Sequence, residues 1–140
     1  MTTESPAAVA GTSQQLALRF YEQMRRIRTF EERADELYKS RLMAGLTHLY
    51  IGEEAIAVGV CESLGRDDYI TSTHRGHGHC LAKGADVERM FCELLGKEAG
   101  YCRGKGGSMH IADFGVGMLG ANGVVAANIV IAAGAAHAIK

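Results

Sequence analysis

The sequence predicts an α/β fold that is mostly helical. Apolar residues recur at steps of three and four between Leu16 and Tyr38, and again between Val87 and Leu95, which is the period of helices that bury one face. A short run of β-favouring residues at 69–72 predicts a strand. The chain has 140 residues, of which 47% are hydrophobic and 22% charged, so it fits one domain with a buried core.

The first helix is predicted over 12–42, because Thr12 and Gln15 have the spacing of a capping box and the apolar stripe follows directly. A second helix is predicted over 53–64, with Gly65 as its C-terminal cap. Residues 1–12 are predicted to be a disordered leader, which leaves 13–140 as the folded domain.

The second half is predicted to contain three further helices and a long loop. A short helix follows the strand at 69–72 and ends near Lys83, and Asp86 caps the next helix. The buried stripe of that helix is predicted to be Val87, Met90, Phe91, Leu94 and Leu95. Residues 96–122 are rich in glycine and predict a loop, and loops of this length are usually functional. Residues 123–140 are small and apolar and predict a buried helix.

Composition excludes several classes of function. The formal net charge of -1 gives no electrostatic reason to expect nucleic acid or a membrane surface as partner. The most apolar stretch, 123–139, contains Asn128 and His137 and is shorter than the roughly 20 residues of a membrane span. The four cysteines form no C-x-x-C pair and no secretory pattern precedes them, which predicts free thiols in a cytoplasmic protein.

Three histidines and an arginine lie within residues 74–79, separated only by glycines. Arg75 comes directly after the predicted strand and before a helix, where a guanidinium can hold a phosphate group through two hydrogen bonds. The alternative is an exposed arginine in an ordinary turn, and the neighbouring histidines favour the anion site. A zinc site built from His74, His77, His79 and Cys80 has suitable ligand types but poor spacing, so no metal ligand is predicted in this chain.

Two glycine motifs are ambiguous. Residues 115–120 match G-x-G-x-x-G, but no acidic residue follows Asp113, so a dinucleotide site is not favoured. Residues 100–108 resemble a phosphate loop, yet glycine rather than serine or threonine follows Lys105. The simpler interpretation is a flexible loop in which Arg103 and Lys105 can face an anion. His48 and His110, taken alone, are each more typical of structural histidines.

Four segments in order give these residues a common context. They read H-L-Y-I-G-E-E-A at 48–55, D-Y-I-T-S-T-H-R-G-H-G-H at 68–79, G-K-G-G-S-M-H at 104–110 and G-A-N-G-V-V at 120–125. Together they closely resemble the alpha subunits of thiamine-diphosphate-dependent 2-oxo acid dehydrogenase complexes, and acetoin dehydrogenases most of all. The resemblance runs over 16–136. It implies an α/β fold, the N-terminal part of a thiamine-diphosphate-binding domain, with few short parallel strands.

The resemblance implies which residues hold the cofactor. Arg75 matches the family's diphosphate-binding arginine, and His74 stands beside it. Gly123 and Val125 match backbone positions that hold the aminopyrimidine ring. The family's Mg²⁺ ligands come from a G-D-G…N motif, which is expected beyond Lys140. We therefore expect these 140 residues alone to bind the cofactor weakly.

The resemblance also implies a reaction. His48 and His77 match active-site histidines, the loop at 104–110 forms a wall of the site, and His79 is left as a structural residue. The expected activity is cleavage of acetoin, or decarboxylation of pyruvate or another 2-oxo acid. The two-carbon unit then passes to the lipoyl group of an acyltransferase partner. The site lies against a beta subunit in a heterotetramer, and beta supplies the carboxylate that activates the cofactor.

Three departures from the family pattern bear on this expectation. Pyruvate-specific relatives usually have tyrosine where this chain has His74, which favours acetoin. Ala126 stands where glycine is common, and Asn128 interrupts an apolar stretch. Both substitutions are expected to crowd the pyrimidine end of the cofactor. The alternative hypothesis is a truncated, non-catalytic helical subunit that binds no cofactor, for which a stop codon directly after Lys140 would be evidence.

Overall fold

The structure is a computed structural model that describes residues 13–139. The leader predicted at 1–12, the capping residue Thr12 and the terminal Lys140 lie outside the described residues. The elements, in chain order, are helix α1 Ser13–Lys39, helix α2 Glu54–Cys61, strand β1 Ile70–Thr71, helix α3 Gly76–Ala82, helix α4 Val87–Leu94, a 3-10 helix Phe114–Val116, strand β2 Met118–Gly120 and helix α5 Ala127–Ile139.

Helix α1 ends three residues before the predicted Leu42, because the backbone turns left-handed at Arg41 with φ 59°. The amide of Leu42 donates to the carbonyl of Leu37 at 3.0 Å, and the amide of Arg41 donates to Tyr38 at 2.9 Å. This pair of hydrogen bonds is the Schellman arrangement that closes helices. Glycine usually occupies the left-handed position, so an arginine there does not indicate the end of a helix.

The prediction that α2 extends to Leu64 with Gly65 as its cap is wrong. The helix ends at Cys61, and its C-terminal cap is Glu62. Beyond it, the amides of Ser63 and Leu64 bond to carbonyls only three residues back, at 3.0 and 3.1 Å. The chain therefore continues beyond Cys61 as tight 3-10-type turns, so its sequence resembles that of a helix although the α-helix has ended.

The two strands form a parallel pair, as the family resemblance implied. The amide of Ile70 donates to the carbonyl of Gly117, and the amide of Ser72 donates to Gly120, both at 2.9 Å. The prediction of a continuous loop over 96–122 is therefore wrong at β2. The sequence Met-Leu-Gly has little β propensity of its own, so its extended conformation depends on pairing with β1.

The core lies where α1 to α4 and β2 meet. Its buried apolar residues are Ile27, Phe30, Ala34, Met43, Tyr50, Ala57, Val58, Cys80, Leu81, Ala85, Met90, Leu94, Ile111, Met118 and Ala121. The two glycines of α3 permit its close packing. A Cβ at Gly78 would overlap the Tyr50 ring, and one at Gly76 would stand 2.5 Å from the Cβ of Ala121.

Helix α4 follows the prediction closely. The Asp86 side chain accepts a hydrogen bond from the amide of Arg89 at 2.8 Å, which confirms the predicted cap. Met90 and Leu94 are fully buried. Phe91 is only partly buried and packs on Phe30, with ring centroids 4.5 Å apart.

The prediction of a buried helix over 123–140 is wrong in its start and in its burial. Helix α5 begins at Ala127 and has no buried residue among those that the structure describes. Val130 is 75% exposed. Contact with the rest of the described chain runs mainly to β1, where the Thr71 hydroxyl donates to the Asn128 carbonyl at 3.3 Å. Over the described range, no helix is both long and apolar enough to cross a membrane.

Candidate functional site

Three of the predicted site residues meet between β1 and α3. The ring of His48 stands edge-on to the ring of His74, with centroids 4.9 Å apart and planes at 90°. Arg75 follows His74 and is the residue that precedes the first turn of α3. The Nδ1 atoms of both histidines are buried and have no hydrogen-bond partner among residues 13–139. Unpaired buried nitrogens are costly, so a water molecule or a polar group of a ligand is expected to bind to them.

The Arg75 guanidinium is held against the segment that carries His48. Its Nη1 donates to the carbonyl of Leu49, and its Nε lies 3.8 Å from a carboxylate oxygen of Glu53. The side chain is 38% exposed. A guanidinium has five N–H donors, so these two contacts leave others free for an anion.

The segment that carries His48 is anchored through Glu54. Its carboxylate accepts from Arg28 of α1 at 2.6 Å and from the Gly52 amide at 3.1 and 3.2 Å. Burial of Glu54 opposes its ionisation, but the hydrogen bonds from Arg28 and the backbone outweigh that effect and lower its pKa. The ion pair therefore fixes the end of the His48 segment to α1.

The pKa of His48 is lowered from its ordinary value. Burial is the largest cause, and electrostatic interactions with His74, Arg75 and His77 add to it. His48 is thus a neutral imidazole at neutral pH, with one ring nitrogen that donates and one that accepts. That is the state a proton-transferring group needs.

His77 is enclosed rather than open to a ligand. Its side chain has no exposed surface, and Nδ1 lies 2.9 Å from a carboxylate oxygen of Glu31 on α1. Nε2 lies 3.0 Å from the hydroxyl of Ser108. Both ring nitrogens are therefore occupied, and a hydrogen-bonded path through Ser108 links His77 to the His48 segment.

His79 has the structural surroundings predicted for it. Its Nδ1 lies 2.7 Å from the Ser72 hydroxyl and its Nε2 lies 2.9 Å from the Tyr50 hydroxyl. Burial lowers the pKa of His79. The zinc site considered for His74, His77, His79 and Cys80 does not form here, because both ring nitrogens of His77 and of His79 are hydrogen-bonded to other side chains. Among the residues that the structure describes, no group of three or more His, Cys, Asp or Glu side chains is arranged to hold a metal ion.

The phosphate-loop-like segment binds an anion, but the anion is internal. The buried carboxylate of Glu93 accepts from the amides of Cys102 and Gly104 at 2.7 and 2.8 Å through one oxygen. The other oxygen accepts from Gly106 and Gly107 at 2.8 and 2.9 Å. These bonds lower the pKa of Glu93 although burial opposes its ionisation. The interpretation of 100–108 as a flexible loop is therefore wrong.

Gly123 and Val125 lie on the segment that follows β2. The contact between Gly76 and Ala121 joins this segment to the start of α3. A Cβ at Gly123 would meet the His110 ring at 3.6 Å, so the histidine of the glycine-rich segment lies beside it. Val125 is 65% exposed. The structure thus brings His48, His74 and Arg75 together and joins His77 to them through Ser108, whereas Gly123 lies beside His110 and Val125 is exposed.

The G-x-G-x-x-G match at 115–120 has no dinucleotide geometry. It forms the 3-10 turn Phe114–Val116 and then leads into β2, whereas a dinucleotide loop leads from a strand into a helix. This agrees with the prediction that the match is incidental.

Sequence reasoning missed Glu31, Glu93 and Ser108. Glu31 offered a signal, because it lies on the apolar face of α1 beside Ile27 and Ala34. A charged residue on a buried face predicts a buried partner. Glu93 lies in the same position on α4, next to Leu94. Nothing in the sequence pattern singled out Ser108.

Comparison with known proteins gives this group of residues a family context. The family model described as dehydrogenase E1 component matches residues 22–140. The chain belongs to the dehydrogenase E1 component family. Its relatives include the alpha subunit of acetoin:2,6-dichlorophenolindophenol oxidoreductase from Bacillus subtilis, 53% identical over 128 residues and 91% of this chain.

Two further relatives are similar to this chain at comparable identity. The subunit of the same name from Cupriavidus necator is 52% identical over 88% of this chain. The pyruvate dehydrogenase E1 component subunit alpha of Zymomonas mobilis is 48% identical, also over 88% of this chain. The chain spans only 38%, 37% and 35% of the lengths of these three relatives, respectively.

Proposed function

We propose that this chain is part of the alpha subunit of a thiamine-diphosphate-dependent dehydrogenase, and that it supplies the side of the active site that holds the diphosphate. The proposed reaction is the carbon–carbon cleavage of acetoin, with pyruvate or another 2-oxo acid as the second candidate substrate. The two-carbon unit passes to a lipoyl-bearing acyltransferase. A beta subunit completes the proposed site, and the assembly is cytoplasmic.

One observation carries the proposal: two buried ring nitrogens without partners, on His48 and His74, stand beside a partly free arginine. Arg75 has a long contact with Glu53, at 3.8 Å, and its side chain is 38% exposed, so the arginine is not neutralised by a close ion pair. The group fits an anion with several oxygen acceptors, and a diphosphate is such an anion. Arg75 and His74 are the proposed diphosphate ligands, and the backbone at Gly123 and Val125 is the proposed support of the aminopyrimidine ring.

Thiamine diphosphate, when bound, supplies a carbanion for addition to a substrate carbonyl and a sink for the electrons released. The proposed task of the chain's own residues is to orient the cofactor and the substrate and to transfer protons. His48 is the proposed proton carrier, because its buried Nδ1 is unpaired and its lowered pKa keeps the ring neutral at pH 7. Mg²⁺ ligands are proposed to come from other parts of the full-length subunit.

His77 is proposed to affect catalysis indirectly, without contact with the substrate. Its contacts with Glu31 and Ser108 leave no ring nitrogen for a substrate. Its effect on turnover therefore passes through Ser108 to the segment that carries His48. This replaces the direct contact with intermediates that the family resemblance implied.

Two observations favour acetoin over pyruvate as substrate. The relatives at 53% and 52% identity carry acetoin in their names, whereas the pyruvate dehydrogenase relative is at 48%. His74 also stands where the family resemblance expects tyrosine in pyruvate-specific relatives. The imidazole is smaller and more polar than a phenol ring, so it changes the shape of the site beside Arg75.

The test is turnover by the full-length subunit assembled with its beta partner. Acetoin and pyruvate are each supplied with 2,6-dichlorophenolindophenol as electron acceptor, with and without thiamine diphosphate and Mg²⁺. We expect cofactor-dependent turnover, with kcat/KM for acetoin at least tenfold that for pyruvate. A correctly assembled complex that turns over neither substrate would favour the non-catalytic subunit instead.

A further inference from the structure

A buried chain of hydrogen bonds connects three distant parts of the sequence. Glu31 on α1 lies 2.9 Å from Nδ1 of His77 on α3, and Nε2 of His77 lies 3.0 Å from the hydroxyl of Ser108. Glu31 and His77 have no exposed surface, and Ser108 is 6% exposed. When Nδ1 carries a proton and donates it to the carboxylate, Nε2 is the ring atom that pairs with the Ser108 hydroxyl.

Ser108 continues this chain to the segment that holds His48. Its oxygen accepts from the His48 amide at 3.3 Å and lies 3.2 Å from the Thr47 hydroxyl. A hydroxyl has one donor and two acceptor positions, so the three contacts satisfy it completely. Ser108 is therefore the point at which α1, α3 and the glycine-rich segment are joined to residues 47–48.

The glycine-rich segment holds Ser108 in place from the other side. Glu93 fixes the amides of Gly106 and Gly107, directly before Ser108. The serine is thus set by two buried carboxylates, Glu31 through His77 and Glu93 through the backbone. Order of this kind is typical of groups that must hold a neighbour in one geometry.

We propose that Ser108 is a positioning residue for His48, and that the Glu31–His77 pair fixes the direction of its hydroxyl. The effect of Ser108 on turnover rests on the proposed function. The positioning of His48 by Ser108 does not depend on that function. A carboxylate, imidazole and hydroxyl in this order also occur in serine hydrolases. That role does not fit Ser108, whose hydroxyl is enclosed and fully engaged with protein groups.

The orientation of His48 has a measurable signature. Its ring contacts the ring of His74, and electrostatic interactions with His74, Arg75 and His77 add to burial in lowering its pKa. If Ser108 releases the His48 amide, the ring gains exposure and moves away from those groups. Both changes raise the pKa of His48 toward its ordinary value of about 6.5.

The experiment compares Ser108→Ala, Ser108→Thr and the parent in the full-length subunit assembled with its partner. The pKa of His48 is taken from the pH dependence of its carbethoxylation rate, followed by peptide mass spectrometry without cofactor. Ser63→Ala is the matched control, because the Ser63 hydroxyl bonds to Gly59 on the exposed side of α2. Turnover and the KM for acetoin are measured on the same preparations.

We expect Ser108→Ala to raise the pKa of His48 and to lower kcat by about tenfold to a hundredfold, since small misplacements of reacting groups have effects of that size. Ser108→Thr restores both, and Ser63→Ala changes neither. Glu31→Gln, which keeps the side-chain shape, raises the pKa of His48 by a smaller amount and remains informative if Ser108→Ala fails to fold.

An unchanged pKa of His48 in folded Ser108→Ala would overturn the proposal, as would a change that Ser108→Thr does not reverse. Absence of cofactor-dependent turnover in the parent contradicts the proposed function alone. The pKa of His48 is read without cofactor and still decides whether Ser108 positions that residue.

Discussion

The rings of His48 and His74 meet edge to face, with centroids 4.9 Å apart, and neither Nδ1 has a partner in the described part of the chain. Burial and the proximity of His74 and Arg75 disfavour protonation of His48 and lower its pKa. The pair therefore combines a neutral proton carrier with donors suited to an anion. This arrangement connects the fold to the proposed chemistry.

Removal of the neighbouring imidazole should raise the pKa of His48. In His74→Phe an aromatic ring remains but the ionisable imidazole is lost, and its electrostatic effect is the second cause, after burial, of the lowered pKa of His48. The pKa should rise without reaching the ordinary value, because burial persists. The pH dependence of His48 carbethoxylation measures it. His137→Phe on exposed α5 is the control, and a pKa equally raised there would exclude a local effect.

Replacement of Glu93 should destabilise the protein in a pH-dependent way. A glutamine amide cannot accept from all four backbone donors, so Glu93→Gln should lower the free energy of unfolding by about 3 kcal/mol at pH 7. The folded-state pKa of Glu93 is lowered, so its stabilisation is present above the ordinary value of 4.5 and is lost as pH falls through the folded pKa.

Urea denaturation at pH 7 and at decreasing pH measures this difference. The gap between parent and Glu93→Gln should narrow once the pH falls below about 4.5, where the unfolded carboxyl becomes protonated. Glu98→Gln, at an exposed position after α4, is the matched control and should leave stability at pH 7 unchanged. A gap that stays constant with pH would contradict the carboxylate's role.

The role of Glu93 shows what the sequence could and could not predict. The sequence at 100–108 resembled a phosphate loop and favoured a flexible loop, whereas the structure holds the amides of Gly104, Gly106 and Gly107 on the Glu93 carboxylate. The sequence could not tell an internal carboxylate from a ligand, because Glu93 lies 9 to 14 residues before the amides it binds. Glu31 and His77 lie 46 residues apart, so local sequence patterns cannot predict that they pair.

Helices were predicted well where local chemistry determines them. The Asp86 cap and the apolar stripe of α1 depend on residues three or four positions apart, and both appear in the structure. Strand β2 and the exposure of α5 depend instead on which other segments pack against them. Composition predicted burial for α5, but the described residues provide contacts chiefly at β1.

Glycine at position 126 should stabilise the protein. Ala126 adopts φ 74°, a left-handed conformation that is strained for any residue with a Cβ. Ala126→Gly should therefore raise the free energy of unfolding by up to about 1 kcal/mol, after the entropy cost of glycine. The same change at Ala133, inside α5, should lower it by about 1 kcal/mol. Urea denaturation that shows the same sign for both variants would contradict the strain at Ala126.

A methyl group at Gly78 should disrupt the packing of α3. Its Cβ would overlap the Tyr50 ring, which is buried and cannot move away freely. Gly78→Ala should cost about 1–3 kcal/mol of stability by overpacking. Gly59→Ala in α2 has open space around its Cβ and should instead gain up to about 1 kcal/mol from helix propensity. Thermal denaturation compares the two, and a stabilised Gly78→Ala would refute the close contact.

The central claim is that Arg75 and His74 form the diphosphate-binding side of a thiamine diphosphate site, next to the proposed proton carrier His48. Its most direct test is calorimetric titration of the full-length alpha–beta complex with thiamine diphosphate and Mg²⁺, comparing the parent, Arg75→Ala and Arg33→Ala. Arg33 is an exposed arginine on α1 whose partner is Glu36, so its loss should leave affinity unchanged. We predict that Arg75→Ala raises the Kd for the cofactor at least tenfold. Equal affinity in Arg75→Ala and the parent would contradict the account.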